Sequence, residues 1–352
     1  MKVGILINPK HGHTMRAYSE LVEIIRRSHT RYRSATTTKQ WPGVEQASKL
    51  LDWGADLIVI LGGDGTLRVS APVLASANVP VLIIPTGTAN VLSRHLGIRS
   101  TRQALQLVQK YLDSPFAPRC EVPVNVADCF TEAGPRREHF LSLAGIGGDA
   151  RAVSGRTRLP TGLGWGILGY AYGAGRAFFA PLISAHLTTP QSSGPPRQSS
   201  GPPRQSSGPP RQSPGGHAAP GAESDSQPNE LPLETTTANY VWSVMASKTA
   251  RPAGPIPVFD RARPTAAKFE LLAVELSTTK PGDRLGEWAL IGWSCVNRRP
   301  AAHAAMHYWQ GTEASITLDD PAPVQLDGDL IGDCRRLDLR AGTTALTIIT
   351  AN

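Results

Sequence analysis

A continuous run of five apolar residues, Leu57-Ile58-Val59-Ile60-Leu61, is the feature of this chain that most constrains its fold. A strand that is apolar at every position has both faces covered, which is typical of the parallel sheets of α/β proteins. The run leads directly into Gly62-Gly63-Asp64-Gly65-Thr66. Together these residues predict a buried strand that delivers a glycine-rich loop to one edge of a parallel sheet.

Further strands and helices alternate around this run. Val3–Ile7 and Val79–Ile84 are short apolar segments that predict two more buried strands. The predicted helices are Met15–Arg27, Val44–Trp53, Leu67–Ala77 and Ala104–Tyr111. Alternating strands and helices favour right-handed crossover units, so residues 1–121 are predicted to form an α/β domain with a doubly wound parallel sheet.

The second half has a different pattern, with β-branched or aromatic runs between Gly/Pro turns. The runs are Tyr240–Met245, Phe269–Leu276, Ala314–Leu318 and Ala345–Thr350. They predict a mainly antiparallel β-sandwich domain from residues 122–189 and 231–352. Whether the extreme C-terminus packs back on the first domain stays open.

Residues 190–230 separate the two parts of that domain. They include three copies of Ser-Ser-Gly-Pro-Pro-Arg-Gln at 192–212. A segment so rich in Pro, Gly and Ser and so poor in apolar residues predicts a disordered insertion.

The formal net charge of +8 favours anionic partners but does not choose among them. The sequence contains no recognisable nucleic-acid-binding motif, so we expect no nucleic-acid partner. Four widely spaced cysteines indicate a reducing, cytoplasmic setting. The longest uncharged stretch, Leu159–Gly175, contains Pro160 and six glycines and is poorly suited to crossing a bilayer as a helix.

Three predicted strands end in loops of unusual composition, namely 8–14, 62–66 and 85–90. In an open parallel sheet, ligands bind beyond the carboxyl ends of the strands. Glycines there let backbone N–H groups approach phosphate closely. Asp64 among such donors indicates a bridging Mg²⁺. Asp-Gly is also a common turn pair, but three such loops at three strand ends favour phosphate binding.

These residues also carry a resemblance to a known family. The Gly62–Thr66 loop, followed by Pro85-Thr86-Gly87-Thr88-Ala89-Asn90, resembles the diacylglycerol kinase catalytic-domain family, which is related to the sphingosine kinases. Further similar segments are Asn8-Pro9, Ala144–Ala150 and Leu326-Asp327-Gly328-Asp329. The resemblance implies an NAD kinase/diacylglycerol kinase-like fold and an ATP- and Mg²⁺-dependent lipid kinase that acts on diacylglycerol or a related lipid alcohol.

The resemblance also implies roles for individual residues. Asp329 takes the place of a glutamate that acts as general base, and Asp64 is the catalytic and metal-binding carboxylate of the phosphate loop. The expected nucleotide-binding residues are Asn8, Thr37, Thr38, Gly62, Gly63, Asp64, Gly65, Thr66, Gly87, Thr88 and Asn90. The implied partner is a lipid substrate at an anionic membrane surface, which implies a cytoplasmic, peripherally membrane-associated protein. The oligomeric state is left open.

Some positions depart from the family pattern. Val91 stands where many bacterial members have aspartate, and Thr265-Ala266-Ala267 replaces an Asp-Asp-Gly tied to a structural magnesium. Glu121 stands at the expected domain junction in place of aspartate. Two alternatives therefore remain: an NAD kinase-like small-molecule kinase, and a catalytically weak nucleotide- or lipid-binding regulator.

Overall fold

The computed structural model describes residues 1–157, 177–190, 233–252 and 254–351. The repeat segment 192–212 and all of Leu159–Gly175 lie outside these ranges, and so does nearly all of the predicted insertion 190–230. The described ranges contain both predicted domains.

The first domain alternates strands with helices, as expected. Its strands are β1 (Lys2–Ile7), β2 (Arg31–Thr36), β3 (Leu57–Gly62), β4 (Val81–Pro85) and β5 (Arg119–Pro123), and its helices are α1 (Gly12–Arg27), α2 (Val44–Asp52), α3 (Asp64–Ala77), α4 (Val91–His95) and α5 (Thr101–Asp113). Helix α3 begins at Asp64 and not at Leu67, so the last residues of the glycine-rich loop form its first turn. The apolar pattern of the sequence did not predict β2, because this strand lies at the sheet edge and is polar and largely exposed.

The second domain is built mainly from antiparallel strands. They are β6 (Asn125–Thr131), β7 (Gly134–Phe140), β8 (Leu143–Gly147), β9 (Ile183–Pro190), β10 (Leu233–Ser247), β11 (Phe269–Glu275), β12 (Met306–Gly311), β13 (Glu313–Leu326) and β14 (Asp329–Arg340), with helices α6 (Gly148–Thr157) and α7 (Arg284–Val296). The strand order is β12-β11-β10-β8-β13-β14-β6-β7, and β9 pairs with both β10 and β13.

These strands form one continuous sheet, not two separate ones, within the described ranges. The sheet curls over a shared core, in which Phe140 of β7 lies 6.3 Å from Phe269 of β11 between ring centroids. The predicted antiparallel β-rich domain is confirmed, and its two packed layers are halves of the same sheet.

The last strand, β15 (Ala345–Ile349), belongs to the first domain. The six described strands of that sheet have the order β2-β1-β3-β4-β15-β5. Strand β15 pairs in parallel with β4 at Ile348↔Val81 and antiparallel with β5. Grouping Ala345–Thr350 with the antiparallel strands of the second domain was therefore wrong, because a short apolar run does not reveal which strands it will pair with.

Both faces of the first sheet are covered, as the apolar β3 predicted. Every residue of β3 is buried. Leu57, Val59 and Leu61 pack in a core with α1 and α5, whereas Ile58 and Ile60 pack in a second core with α2 and α3. The carboxyl ends of β1 to β4 consequently lie at one edge of the sheet, where the loops of interest begin.

Candidate active site

The loops after β1, β2 and β3 meet at this edge. Asn8 follows β1, and its Nδ2 donates a hydrogen bond of 2.7 Å to Oγ1 of Thr66 in the first turn of α3. Thr37 follows β2 and is buried, and its backbone N–H donates to the carbonyl of Ile7 at 2.8 Å. Thr38 is exposed, and its Oγ1 accepts from the N–H of Trp41. Strand β1 separates β2 from β3, so Thr37 and Thr38 lie one strand farther from Asp64 than Asn8 does.

The loops after β3 and β4 touch through their glycines. A Cβ built on Gly63 would lie 3.0 Å from the Cα of Gly87, and one built on Gly87 would lie 2.5 Å from the Cα of Gly63. The side chain of Asn90 closes the second loop, since its Oδ1 accepts from the N–H of Gly87 and its Nδ2 donates to the carbonyl of Gly87. Any side chain at either glycine would push the two loops apart.

Asp64 begins α3 and joins it to α4. Its Oδ2 accepts a hydrogen bond from the N–H of Val91 at 3.0 Å, and its Oδ1 accepts from the N–H of Leu92 at 3.2 Å. These are the first N–H groups of α4, which lack partners within that helix. Burial raises the pKa of the Asp64 carboxyl above its ordinary value, and the charge of Asp329 adds to this rise. Asp64 is thus a bridge between the two loops as well as a candidate ligand.

Asp329 is delivered to the site by a two-residue hairpin of the second domain. Leu326 pairs with Asp329 across the turn, and the two turn residues, Asp327 and Gly328, have φ angles of 50° and 87°. Positive φ at both positions is typical of the type I′ turn, which favours Asp-Gly. The Asp-Gly-Asp segment is therefore a real turn, and it also places Asp329 at the start of β14.

The Asp327 carboxylate anchors this hairpin. It accepts backbone hydrogen bonds of 2.7–2.8 Å from the N–H groups of Leu141, Ser142 and Leu143. Burial raises the pKa of Asp327 to about 7, although the hydrogen bonds from these three N–H groups act to lower it. The two aspartates of the turn therefore differ in role, since Asp327 is engaged by the backbone and Asp329 projects toward α3.

The Asp329 side chain lies against the glycine-rich loop. A Cβ built on Gly65 would come 2.5 Å from Oδ2 of Asp329. The same Oδ2 accepts a hydrogen bond of 3.2 Å from Nη2 of Arg68, one turn farther along α3. The candidate base of the second domain and the candidate phosphate loop of the first domain thus meet at one place.

Arg68 was missed by the sequence reasoning. Its side chain is buried, and its Nη1 also pairs with Oε2 of Glu138 on β7 at 3.1 Å. Its Nε has no hydrogen-bond partner among the described residues. Its position one turn after Gly65 was a usable signal, because residues at i and i+3 share a helix face. Its partners, however, are far away in sequence.

A second hydrogen-bond network, from Asp149 to the turn, supports the hairpin that carries Asp329. Asp149, at the start of α6, accepts from Oγ of Ser243 at 2.6 Å and from Nε2 of Gln325 at 2.9 Å. Oε1 of Gln325 accepts in turn from the N–H of Gly328. Burial raises the pKa of the Asp149 carboxyl. The segment Ala144–Ala150 therefore acts on the site through the turn that carries Asp329.

Two hydroxyl groups at this edge of the sheet have no hydrogen-bond partner among the described residues. Thr14 Oγ1 and Thr86 Oγ1 are both buried and make no hydrogen bond there. Buried polar groups are rarely left unsatisfied. Thr14 lies in the first turn of α1 and Thr86 in the loop after β4, within segments expected to bind phosphate, where a ligand or a water would satisfy them. Thr88 is partly buried in the same loop as Thr86.

The positions that depart from the family pattern have structural partners. Lys248 is fully buried, and its ammonium donates to the carbonyls of Ala266 and Lys268, so a cation already lies beside the segment 265–267. Glu270 accepts from the backbone N–H groups of Arg261 and Ala262.

Two further departures lie in the first domain. Glu121 accepts from Thr347 of β15, within the first sheet. Val91 contributes its N–H to Asp64, a contact that needs no particular side chain.

Two carboxylates of the site, Asp64 and Asp329, are candidate ligands for magnesium. No group of three or more His, Cys, Asp or Glu side chains in the described ranges is placed to hold a metal ion. Mg²⁺ is commonly held by only one or two carboxylates together with substrate phosphates. Asp329 lies close enough to Asp64 for its charge to contribute to the raised pKa of the Asp64 carboxyl. This pair fits an ion that arrives with a nucleotide better than a resident ion.

The first domain matches a known family. Residues 2–115 match the model of the diacylglycerol kinase catalytic domain. The predicted family resemblance is confirmed for this part of the chain. The matched segment contains the loops after β1 to β4 but not Asp329, which the second domain contributes.

Solved structures share the whole fold. A candidate diacylglycerol kinase from Bacillus anthracis str. Sterne is 18% identical, with a TM-score of 0.63 over 99% of this chain and 95% of that one. A second structure from that strain, also a candidate diacylglycerol kinase, is 18% identical with a TM-score of 0.61, covering 99% and 96% of the two chains. A third, a diacylglycerol kinase, is 16% identical with a TM-score of 0.55 and the same coverage. No curated protein matches the chain. The predicted two-domain fold class is confirmed. At sequence identities of 16–18%, the structural similarity is evidence for the fold alone.

No described helix has the length and apolar character needed to cross a membrane.

Proposed function

We propose that this protein is an ATP-dependent lipid kinase that transfers the γ-phosphoryl group to the hydroxyl of diacylglycerol or a related lipid alcohol. The observation that carries the proposal is the contact of the Asp329 carboxylate with Gly65 at the first turn of α3. It joins a candidate proton acceptor to a candidate phosphate loop. The match of residues 2–115 to the diacylglycerol kinase catalytic domain supports the reaction class.

The nucleotide phosphates would bind at the first turn of α3 and the loop after β4. Backbone N–H groups at a helix N-terminus attract phosphate oxygens. Gly63 and Gly87 let these two loops pack against each other, and Gly65 leaves room for Asp329 beside them. Thr66 and Thr88 add hydroxyl groups. Magnesium, when bound with the nucleotide through Asp64 or Asp329, would neutralise phosphate charge.

Asp329 would accept the proton of the lipid hydroxyl as the phosphoryl group is transferred. Aspartate is one methylene shorter than the family's glutamate, which raises the question of its reach. Two observations favour it. The hairpin places Asp329 against Gly65, and Arg68 holds one of its oxygens at 3.2 Å. The other oxygen is left to face the acceptor, and half of the side chain is exposed.

The lipid acceptor, cytoplasmic localisation and peripheral membrane association are parts of this proposal. Their support is the family match and the excess of positive charge, which favours an anionic membrane surface.

The test is incubation of the purified full-length protein with γ-labelled ATP, magnesium and a total lipid extract, followed by identification of the labelled product. A parallel reaction replaces the lipid with NAD. We expect label in a lipid and a loss of label in Asp329→Asn, which keeps the size of the side chain but removes the base. Label in NAD alone would favour the small-molecule kinase. Nucleotide binding without any transfer would favour a regulator.

A further inference from the structure

Helix α7 presents an apolar face to solvent. Its exposed residues include Leu285, Leu290, Trp293 and Val296, whose exposed fractions are 56%, 60%, 69% and 59%. At 3.6 residues per turn these positions, with Ala289 between them, span an arc of about 140° with Trp293 near its centre. The arc contains no charged residue. A surface helix ordinarily turns polar residues outward, so this face is unusual.

The opposite face is fixed to the second domain. Ile291 and Cys295 are buried in its core, and Trp288 stacks on Phe178 at 4.4 Å and meets Trp242 edge-on at 4.9 Å between centroids. The helix is therefore apolar on both sides, although among the described residues only one side is packed against the protein. An anchored helix of this kind holds its exposed face in a fixed orientation.

The charged residues of α7 are turned away from the exposed face. Arg284 is buried and donates to the carbonyls of Ala180, Thr278 and Thr279. Glu287 accepts from the N–H and hydroxyl of Ser277. Neither side chain interrupts the apolar arc.

Basic residues border the arc at the C-terminal end of the helix. Arg298 and Arg299 follow α7 after Asn297 and are both exposed. Their backbone N–H groups close the end of the helix on the carbonyls of Cys295 and Ser294. A second exposed aromatic residue, Phe179, lies between Phe178 and Ala180, whose carbonyls accept hydrogen bonds from Trp288 and Arg284. Exposed Trp and Leu beside Arg are typical of helices that lie in the interface of an anionic membrane.

We infer that the exposed face of α7 is the surface by which this protein docks on an anionic lipid bilayer. The choice of a lipid surface rests on the proposed function, and the choice of α7 rests on the apolar arc and its basic border. A helix of 13 residues is about 20 Å long, too short to span the hydrocarbon core, so it would lie flat with Trp293 inserted. A face of roughly 20 Å by 10 Å is also well below the ~800 Å² per partner of a standard protein interface, which disfavours a second copy as the occupant.

The experiment is co-sedimentation of the full-length protein, without nucleotide, with vesicles of phosphatidylcholine and phosphatidylglycerol in equal parts. Leu290→Glu/Trp293→Glu should weaken binding by more than about tenfold, because two apolar anchors are replaced by charges that anionic lipid repels. Arg298→Glu/Arg299→Glu should weaken binding to these vesicles more than to pure phosphatidylcholine. The matched control is Phe116→Glu, which replaces an apolar residue with an exposed fraction of 93% in the first domain and should bind as the unmodified protein does.

Unchanged vesicle binding by Leu290→Glu/Trp293→Glu would overturn the inference. So would a dimer in sedimentation velocity that this variant converts to a monomer while vesicle binding persists, since α7 would then contact a second copy. Because no nucleotide is present, docking is measured apart from catalysis. If docking behaves as expected but no lipid is phosphorylated, the docking surface stands and the proposed function fails.

Discussion

Asp329 and Gly65 meet across the two domains so closely that a single methyl group would not fit between them. The Oδ2 atom of Asp329 lies 2.5 Å from the position that a Cβ on Gly65 would take. The same oxygen is the one that pairs with Arg68. The absence of a side chain at residue 65 is therefore a condition for the placement of the candidate base.

Gly65→Ala should impair phosphoryl transfer while leaving the fold intact. Alanine is a better helix former than glycine by about 1 kcal/mol, and residue 65 lies in the first turn of α3. The added methyl group would displace the Asp329 carboxylate, which is half exposed and free to rotate away from Arg68. We expect a loss of about tenfold or more in kcat, with the free energy of unfolding within about 1 kcal/mol of the original.

Gly286→Ala is the matched control for that change. Gly286 also lies in the first turn of a helix, α7, but a Cβ there would meet nothing within 4 Å. Its kcat should not change. Equal activity in the Gly65 and Gly286 variants would show that the position of Asp329 does not matter to the reaction.

Arg68→Met should destabilise the protein. The buried guanidinium bridges Glu138 and Asp329, and its removal leaves Asp329 without a cation and Glu138 with only the more exposed Arg136. Hydrogen bonds to charged groups contribute about 1.5–3 kcal/mol each, so we expect a loss of about 2 kcal/mol in the free energy of unfolding, measured by urea denaturation. Activity should fall as well because Asp329 loses its partner.

Arg136→Met tests whether burial is the cause. Arg136 pairs with the same Glu138 at 2.6 Å, but 55% of its side chain is exposed. Exposed pairs contribute about 0–1 kcal/mol, so this variant should lose much less stability than Arg68→Met. Equal losses would contradict the assignment of Arg68 as a buried bridge between the domains.

The sequence was most informative where local pattern determines structure. The apolar run Leu57–Leu61 predicted a strand covered on both faces, and every residue of β3 is buried. The loops after β1, β3 and β4 were placed at one sheet edge because parallel strands end together. The contact of Asn8 with Thr66 and that of Gly63 with Gly87 follow from this placement.

The sequence was least informative where the partner is distant. Arg68 and Asp329 are 261 positions apart, and no local pattern indicates their pairing. The same limit explains β15, whose pairing with β4 and β5 depends on how the chain returns to the first domain. Asp64 was expected to face a metal ion. Its hydrogen bonds to Val91 and Leu92 could not be predicted, because they depend on where α4 begins.

Asp327→Ala and Asp329→Ala should have opposite consequences although the residues are two positions apart. Asp327→Ala leaves the N–H groups of residues 141–143 without their acceptor. It also places alanine at a φ of 50°, where a Cβ is unfavourable. We expect a loss of about 3 kcal/mol or more in the free energy of unfolding.

Asp329→Ala removes only a half-exposed partner of Arg68 and should cost about 1 kcal/mol or less, yet it should abolish phosphoryl transfer. Urea denaturation and labelled-ATP turnover separate the two variants. A stable but inactive Asp327→Ala protein would mean that Asp327, not Asp329, is the base.

His95 should make the contact between the domains sensitive to acid. Its Nε2 accepts a hydrogen bond of 3.2 Å from the N–H of Arg251 in the second domain, and its Nδ1 lies 2.9 Å from the carbonyl of Val91. Nδ1 must then carry the proton, and a second proton on Nε2 would abolish the contact with Arg251. Burial lowers the pKa of His95 below its ordinary value, with the charge of Arg251 acting in the same direction.

Because the pKa of His95 is lowered in the folded protein, the direction in which stability changes with pH can be stated. Between the ordinary pKa of about 6.5 and the lower pKa of the fold, the unfolded chain binds a proton that the folded protein does not. The stability that neutral His95 contributes is therefore present above this window and is lost as the pH falls through it. His95→Gln does not titrate, so its free energy of unfolding should vary less between pH 7 and pH 5 than that of the unmodified protein. The measurement is urea denaturation at each pH, with His13→Gln at the start of α1 as the control. If His95→Gln and His13→Gln keep the same acid sensitivity as the unmodified protein, another group is responsible for it.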